Sequence, residues 1–514
     1  MKQAEGNAEI QDTTTALSTN VNAVRAVARA VEGTLGPKGL DTMLVDNFGD
    51  VIITNDGVTI LDKMEVNHPA ARMLINIAKA QQKAVGDGTT TATIMAGSLV
   101  SEGLFQVIKG VPVARVIEGV KYALIEALAF IKDSAVKIDN LDDASLYNIA
   151  MVAGREHTDI ANLVVEAARL IGSEKLCENN FKLSETIIAK ENAENEVFMG
   201  VVVAKERMSK DMPETIFDAK ILVVDDALEP EEISSEALRT DVGFQRYLII
   251  QEEFKNNIQK IIDMGIKLIL VDRGVSEIAE EMLTDANIMV LRRVEHAELE
   301  KVAEHVGARM IKRTGLRKST EDIEKYTGFA NSVLEDNKLE QVRILGGKGK
   351  PMATILVGAA TQEVVGERGR IAKDAASSVQ ATIKEGYVAG GGALEIATAQ
   401  KVESLRENIN GMSAYGVDCV ANALRRPLAQ IIDNAGYNSL EKVEEVIANQ
   451  KKLNNNYLAI DCNNGMIADM LSLGIIDPML VKYHAVKAAG EVAMAILRID
   501  TIIRKKDESS VEEN

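Results

Sequence analysis

A chain of 514 residues is too long for one ordinary core, so two or three domains are expected. With 46% hydrophobic and 26% charged residues it has the composition of a soluble globular protein, and a net charge of −19 argues against nucleic-acid and anionic-membrane partners. Cys177, Cys419 and Cys462 are odd in number and far apart, giving neither a disulfide framework nor a metal-ligand spacing, and the polar stretch 1–7 lacks the order of a secretory signal; a cytoplasmic location is expected.

Val21, Val24, Ala28, Val31 and Leu35 fall at helical spacing, and the run stops at Gly36-Pro37-Lys38-Gly39. The apolar runs Met43–Val45 and Val51–Thr54 predict a hairpin turning at 47–50, whose second strand empties into Asn55-Asp56-Gly57. Helices are expected over 70–85, 90–105, 113–135 and 160–171. After residue 195 the runs Val197–Val203, Ile221–Val224, Leu268–Val271 and Ile288–Leu291 alternate with helical segments at 250–264, 275–284 and 296–306, an α/β pattern. Charge is expected to interrupt the apolar runs well short of a membrane span. Helices return over 360–384, 393–406, 415–434 and 481–503, so one helix-rich domain is assembled from both ends of the chain, and the charged tail 504–514 is expected to fray.

The most informative stretch is Val85-Gly86-Asp87-Gly88-Thr89-Thr90-Thr91-Ala92, which opens an apolar helix. It places backbone N–H groups and hydroxyls at a helix N-terminus, where negative charge is favoured, so it reads as a phosphate cradle. Asp87 fits beside phosphate only with a hard cation such as Mg2+ between them. The rival reading is a plain threonine-rich cap after a glycine turn. Asp374, the glycines of 386–392, and the loops Asp461–Gly465 and Gly474–Pro478 carry no specific signal one by one. There is no P-loop motif, no metal-type histidine spacing and no catalytic triad pattern.

Taken in order, Thr34–Asp41, Thr54–Ile60, Val85–Ala92, Val388–Gly392 and Gly474–Pro478 resemble the motifs of the chaperonin family, and the resemblance covers essentially the whole chain. It implies an ATP-driven protein-folding machine of two stacked rings with a multidomain fold. The implied parts are a mainly α-helical equatorial ATP-binding domain (1–135 and 387–514), an α+β intermediate hinge domain (136–195 and 353–386) and an α/β apical substrate-binding domain (196–352) with a helical lid protrusion at about 226–258. Asp218–Lys260, with Ala227–Ile233 and an amphipathic helix at Tyr247–Ile262, resembles the built-in lid of group II, archaeal-type chaperonins, so no separate co-chaperonin cap is expected. Two departures, a short Val152–Glu156 segment without a nucleotide-sensing lysine and a tail without Gly/Met repeats, fit a divergent lineage such as the archaeal-like type carried by some bacteria. Whether Arg155 replaces that lysine stays open.

The same resemblance implies that Leu35, Gly36, Pro37 and Asn55 line the nucleotide, that Gly88, Thr89, Thr90 and Thr91 cradle its phosphates, and that Asp87 holds Mg2+. It implies further that Gly391, Asp461, Cys462, Asn463 and Asp477 contact adenine and ribose, and that Asp374 is the catalytic carboxylate with Asp56 helping to orient water. ATP and Mg2+ are the implied cofactors, with K+ an optional second ion. The implied partners are non-native protein clients and other subunits, eight to a ring. Phe244, Tyr247, Leu248, Phe254 and Ile258 are candidates for client-facing apolar surface, with core packing as the rival reading. A metabolic ATP-dependent phosphotransferase and a non-hydrolysing chaperonin-derived interaction protein are the two rival functions.

Overall fold

The computed structural model describes the chain except for residues 1, 5–7, 11–12, 46–48, 50, 235–236, 502 and 506–514. Two units can be distinguished, one formed by 1–168, 173–184 and 370–514, the other by 169–172 and 185–369.

The first unit is built on long helices. Thr13–Glu32, Pro69–Val85, Thr89–Ile108 and Val113–Asp133 come from the N-terminal part of the chain, and Ala393–Ser404, Ala414–Asn434 and Met479–Leu497 from the C-terminal part. All seven contribute to one core, including Val24, Leu74, Ala96, Val120, Val402, Val420 and Ala489, so this unit is assembled from both ends of the chain as the patterning predicts. Small and β-branched residues dominate it, which lets the helices pack closely with few aromatic side chains. Thr89–Ile108 departs from one expectation: it is long and apolar enough, by length and composition alone, to cross a membrane, and Glu102 is its one charged residue. Its buried Ala92, Met95, Ala96, Leu99 and Val100 instead belong to the helical core.

Helix limits follow local chemistry. Pro69 occupies the first helical position behind His68, whose Nδ1 accepts from the Ala70 amide at 3.3 Å, and Gly86 closes that helix in the left-handed region. The last long helix stops at Leu497 rather than running to Ile503. The β-branched Ile499, Thr501 and Ile503 disfavour helix, and Ile503–Lys505 pairs with Ala8–Ile10 as a strand, so Arg504 and Lys505 are part of a sheet rather than a fraying tail. The remainder of that expected tail, 506–514, lies outside the described residues, as does most of the hairpin turn at 47–50. The hairpin strands themselves pair antiparallel as Thr42–Val45 with Val51–Thr54. The helices Ala144–Ala153 and Ser439–Leu453, like the short Gly57–Lys63, Ser173–Cys177 and Thr320–Glu324, have no counterpart in the sequence reading.

The second unit is organised on an eight-stranded sheet. Its order is Ile187–Glu191, Ala353–Ala359, Glu196–Val203, Gln341–Gly347, Gly328–Asp336, Thr215–Val224, Leu268–Val271 and Met289–Leu291. Only the two ends are parallel; the middle is antiparallel, a mixed sheet where strand–helix alternation alone suggests a parallel one. Along Thr215–Val224 and its neighbours, alternate residues enter different cores. Ile221, Val223, Leu268 and Leu270 face the helix His296–Val306, while Leu222, Val224, Ile269 and Val271 face Asp241–Asp263 and Glu277–Asp285. Asp218–Val224, within the stretch that resembles a protrusion, is sheet, and the chain leaves it only after Val224. The helix Asp241–Asp263 is anchored by its second half, where Phe254 and Ile258 are buried, whereas Val242, Phe244, Leu248 and Ile249 are exposed in its first half.

Candidate active site

Asp87 sits on a two-helix connector of minimal length. Gly86 (φ +78°) ends the helix Pro69–Val85 and Gly88 (φ +77°) precedes Thr89–Ile108, so two left-handed glycines present the carboxylate between the helices. Gly88 offers no side-chain cap, and the amides of Thr89, Thr90 and Thr91 fall in the first turn, where no intrahelical acceptor exists. Such an end favours an anion. The connector is held from elsewhere in the chain: Gln81 donates from Nε2 to the Asp87 carbonyl at 2.9 Å and to the Val481 carbonyl at 3.2 Å, and the Ser378 hydroxyl donates to Asp87 Oδ2 at 3.2 Å. Burial pushes the Asp87 carboxyl above its ordinary value and Asp477 adds repulsion, against the Gly88 amide, Ser378 and Lys482.

Asp56 caps the helix Gly57–Lys63, accepting from the amides of Val58 (3.3 Å) and Thr59 (3.0 Å) and from the Thr59 hydroxyl (2.6 Å). Arg370 approaches it at 3.8 Å and donates to the Thr59 hydroxyl at 3.2 Å. One helical turn beyond Arg370, on the helix Gln362–Glu385, is Asp374. Burial first, then the negative fields of Asp87 and Asp56, push the Asp374 carboxyl well above the ordinary range, while Arg155 and Arg370 act in the opposite direction. The elements that carry these three acids touch. A Cβ on Gly57 would lie 2.4 Å from Thr90 Oγ1, and one on Gly86 would lie 2.3 Å from Ser377 Oγ. Asn55 adds a buried Oδ1 that accepts no hydrogen bond.

The nucleoside-side candidates come from later loops. Tyr387–Ala389 pairs antiparallel with Ile476–Pro478, which places Asp477 beside Gly390. Asp461 accepts from the Asn463 amide at 2.9 Å and from Asn464 Nδ2 at 2.7 Å, closing the turn that carries Cys462. Burial and then Asp461 raise the Cys462 thiol, and Lys38 opposes them, so the Gly36–Gly39 loop lies within electrostatic reach of this turn. The Leu35 carbonyl accepts from Asn434 Nδ2 at 2.8 Å.

Among the described residues no group of three or more His, Cys, Asp or Glu could hold a metal ion. A cation at Asp87 therefore needs oxygens from a ligand, and the donor-rich helix end, the orphan acceptor of Asn55 and the mutually repelling acids are the chemistry a cation–phosphate pair would satisfy. Sequence reasoning did not identify Gln81, Arg370, Ser378, Asn434 or Lys482 as parts of the site, because each acts through a tertiary contact with no local pattern.

Half-buried acids from separated parts of the chain, beside an uncapped helix end, have the chemistry that suits a nucleotide-hydrolysing site on a helical unit. Residues 27–507 match the model of the TCP-1/cpn60 chaperonin family, and the chain belongs to that family. It is similar to thermosome subunit beta of Archaeoglobus fulgidus, at 35% identity covering 95% of this chain and 91% of the relative, and to thermosome subunit alpha of Thermoplasma acidophilum, at 33% identity covering 95% and 91%. A crystal structure of a group III chaperonin in the open state superposes with a TM-score of 0.89 at 44% identity, covering 96% of this chain and 99% of the other. The chain is an ATP-dependent protein-folding chaperonin subunit and an ATPase, and neither the phosphotransferase nor the non-hydrolysing reading is favoured.

Proposed function

We propose that ATP binds with its phosphates at Gly88, Thr89, Thr90 and Thr91, its nucleoside toward Leu35, Gly36, Pro37, Asn55, Gly391, Asp461, Cys462, Asn463 and Asp477, and Mg2+ on Asp87. The bound cation neutralises charge on the phosphate oxygens. Asp374 accepts a proton from, and orients, the attacking water, and Asp56 fixes the water's second position. Phosphoryl transfer asks a protein mainly for positioning and charge stabilisation, so two aligned carboxylates suffice. The observation that carries this reading is the convergence of acids from positions 56, 87 and 374 into one half-buried group, close enough that the negative fields of Asp87 and Asp56 help push the Asp374 carboxyl up. K+ is an optional second ion near the orphan Asn55 Oδ1.

The equatorial, intermediate and apical division stated above is proposed for the assembled subunit, with Asp374 delivered from the intermediate part so that hydrolysis depends on closure. Exposed Phe244, Tyr247 and Leu248 serve non-native clients or the closing lid, while Phe254 and Ile258 are core. Subunits stack in two rings of eight in the cytoplasm, closed without a separate cap and without nucleic-acid or membrane partners. Asp374→Ala tests the site: ATP binding should persist while turnover is lost.

A further inference from the structure

One largely buried cation of the helical unit, met above only through its field on Asp87, has a more specific place. Lys482 lies in the first turn of the helix Met479–Leu497, its side chain 12% exposed, with Nζ donating to Glu395 Oε1 at 2.6 Å and lying 2.8 Å from Asp477 Oδ2. Glu395 is 3% exposed, and its other oxygen is buried without a hydrogen-bond partner. The position is unfavourable for a lysine on two counts: a helix N-terminus disfavours a cation, and a buried ion cluster is generally no more stable than apolar side chains of the same volume. Burial disfavours the lysine's charge, yet Asp477 and Glu395 outweigh it and hold the ammonium protonated beyond its ordinary range.

The geometry around Asp477 shows what the cation accomplishes. Asp477 is opposite Val388 in the two-stranded sheet, so its backbone is fixed, and a Cβ on Gly390 would lie 2.9 Å from its Oδ2. That oxygen is thus confined between Gly390 and the lysine. Glu395, held inside the core on the helix Ala393–Ser404, in turn fixes the ammonium from the other side.

We propose that Lys482 is a positioning residue for nucleotide recognition: by clamping Oδ2 of Asp477 against Gly390, with Glu395 as its anchor, it leaves the second carboxylate oxygen as a fixed acceptor for the sugar hydroxyls. This rests on the reading that Asp477 contacts ribose. Lys482 acts through Asp477, so its removal erases discrimination between a ribose that can donate and one that cannot. A purely structural role would weaken both nucleotides in the same proportion.

The test is the affinity of the full-length protein for ATP and for 2′,3′-dideoxy-ATP, both with Mg2+. Hydrogen bonds to a charged acceptor predict a wild-type preference for ATP of roughly tenfold or more. Asp477→Asn should reduce the preference to about threefold or less. Lys482→Met combined with Glu395→Gln preserves the net charge of the cluster and avoids stranding a buried carboxylate, and it should reduce the preference as far as Asp477→Asn does. A wild-type preference retained by the double variant, or proportional weakening of both nucleotides, overturns the role of Lys482. A preference retained by Asp477→Asn overturns the ribose reading beneath it, which separates the two failures.

Discussion

Gly88→Ala perturbs the connector at a crowded point. The residue has φ +77°, where a side chain costs about 1–2 kcal/mol, and the new Cβ would lie 2.5 Å from Val481 Cγ1 and 3.1 Å from Gln81 Nε2. Overpacking of that kind adds about 1–3 kcal/mol, for a total of about 2–5 kcal/mol. The displacement is not neutral for function. Gln81 is the group that ties the Asp87 carbonyl to the start of the helix Met479–Leu497, so moving it shifts Asp87 and the first-turn amides together. Gly110→Ala is the matched control, since Gly110 also has positive φ (+97°) but nothing within 4 Å of a Cβ. Thermal unfolding and Mg·ATP affinity, measured on both variants, should show Gly110→Ala losing about 1–2 kcal/mol with unchanged affinity, and Gly88→Ala losing more and binding at least about tenfold more weakly. Equal losses in both readouts would refute the packing argument.

Two further outcomes follow from the same geometry. Because the Asp374 carboxyl is pushed above its ordinary value, the folded protein holds this proton more tightly than the unfolded chain; stability therefore falls as pH rises from the ordinary carboxylate range toward the raised value and is flat above it. Asp374→Asn should reduce that slope to the part that the likewise raised Asp87 carboxyl contributes and stabilise the nucleotide-free protein by about 1 kcal/mol near neutral pH, and melting curves running parallel to wild type across the acidic range would contradict it. On the helix Asp241–Asp263, Phe244→Ser and Leu248→Ser (50% and 46% exposed) should leave the melting temperature unchanged while reducing capture of a denatured client, whereas Phe254→Ala (6% exposed) should cost about 3–5 kcal/mol. Loss of stability in the first pair would place those side chains in the core.

What the sequence made legible depends on how local each signal is. The phosphate loop could be read directly because glycines, carboxylate and hydroxyls occupy consecutive positions before a helix, and the order of five motifs then identified the family. Asp374 had no local signature: an acid on an Ala/Ser-rich helix looks solvated until Asp56 and Asp87 surround it. Lys482 and Glu395 are 87 residues apart and Gln81 and Val481 are 400 apart, so no window could reveal either contact. The sheet of the second unit was half legible for the same reason. The parallel strands Leu268–Val271 and Met289–Leu291 show as buried apolar runs, but the antiparallel strands Gly328–Asp336 and Gln341–Gly347 carry polar and glycine positions that hide their pattern. The helix end at Leu497 was overshot because apolar periodicity continues into Ile499 and Ile503, where β-branching and pairing with Ala8–Ile10 decide the outcome.

The most direct measurement compares Mg·ATP affinity with single-turnover hydrolysis in wild type and Asp374→Ala. If acids from distant parts of the chain act together on one bound triphosphate, the variant binds with near wild-type affinity and hydrolyses at least about a hundredfold more slowly. An unchanged rate per bound nucleotide, whatever happens to affinity, would show that Asp374 takes no part in the chemistry.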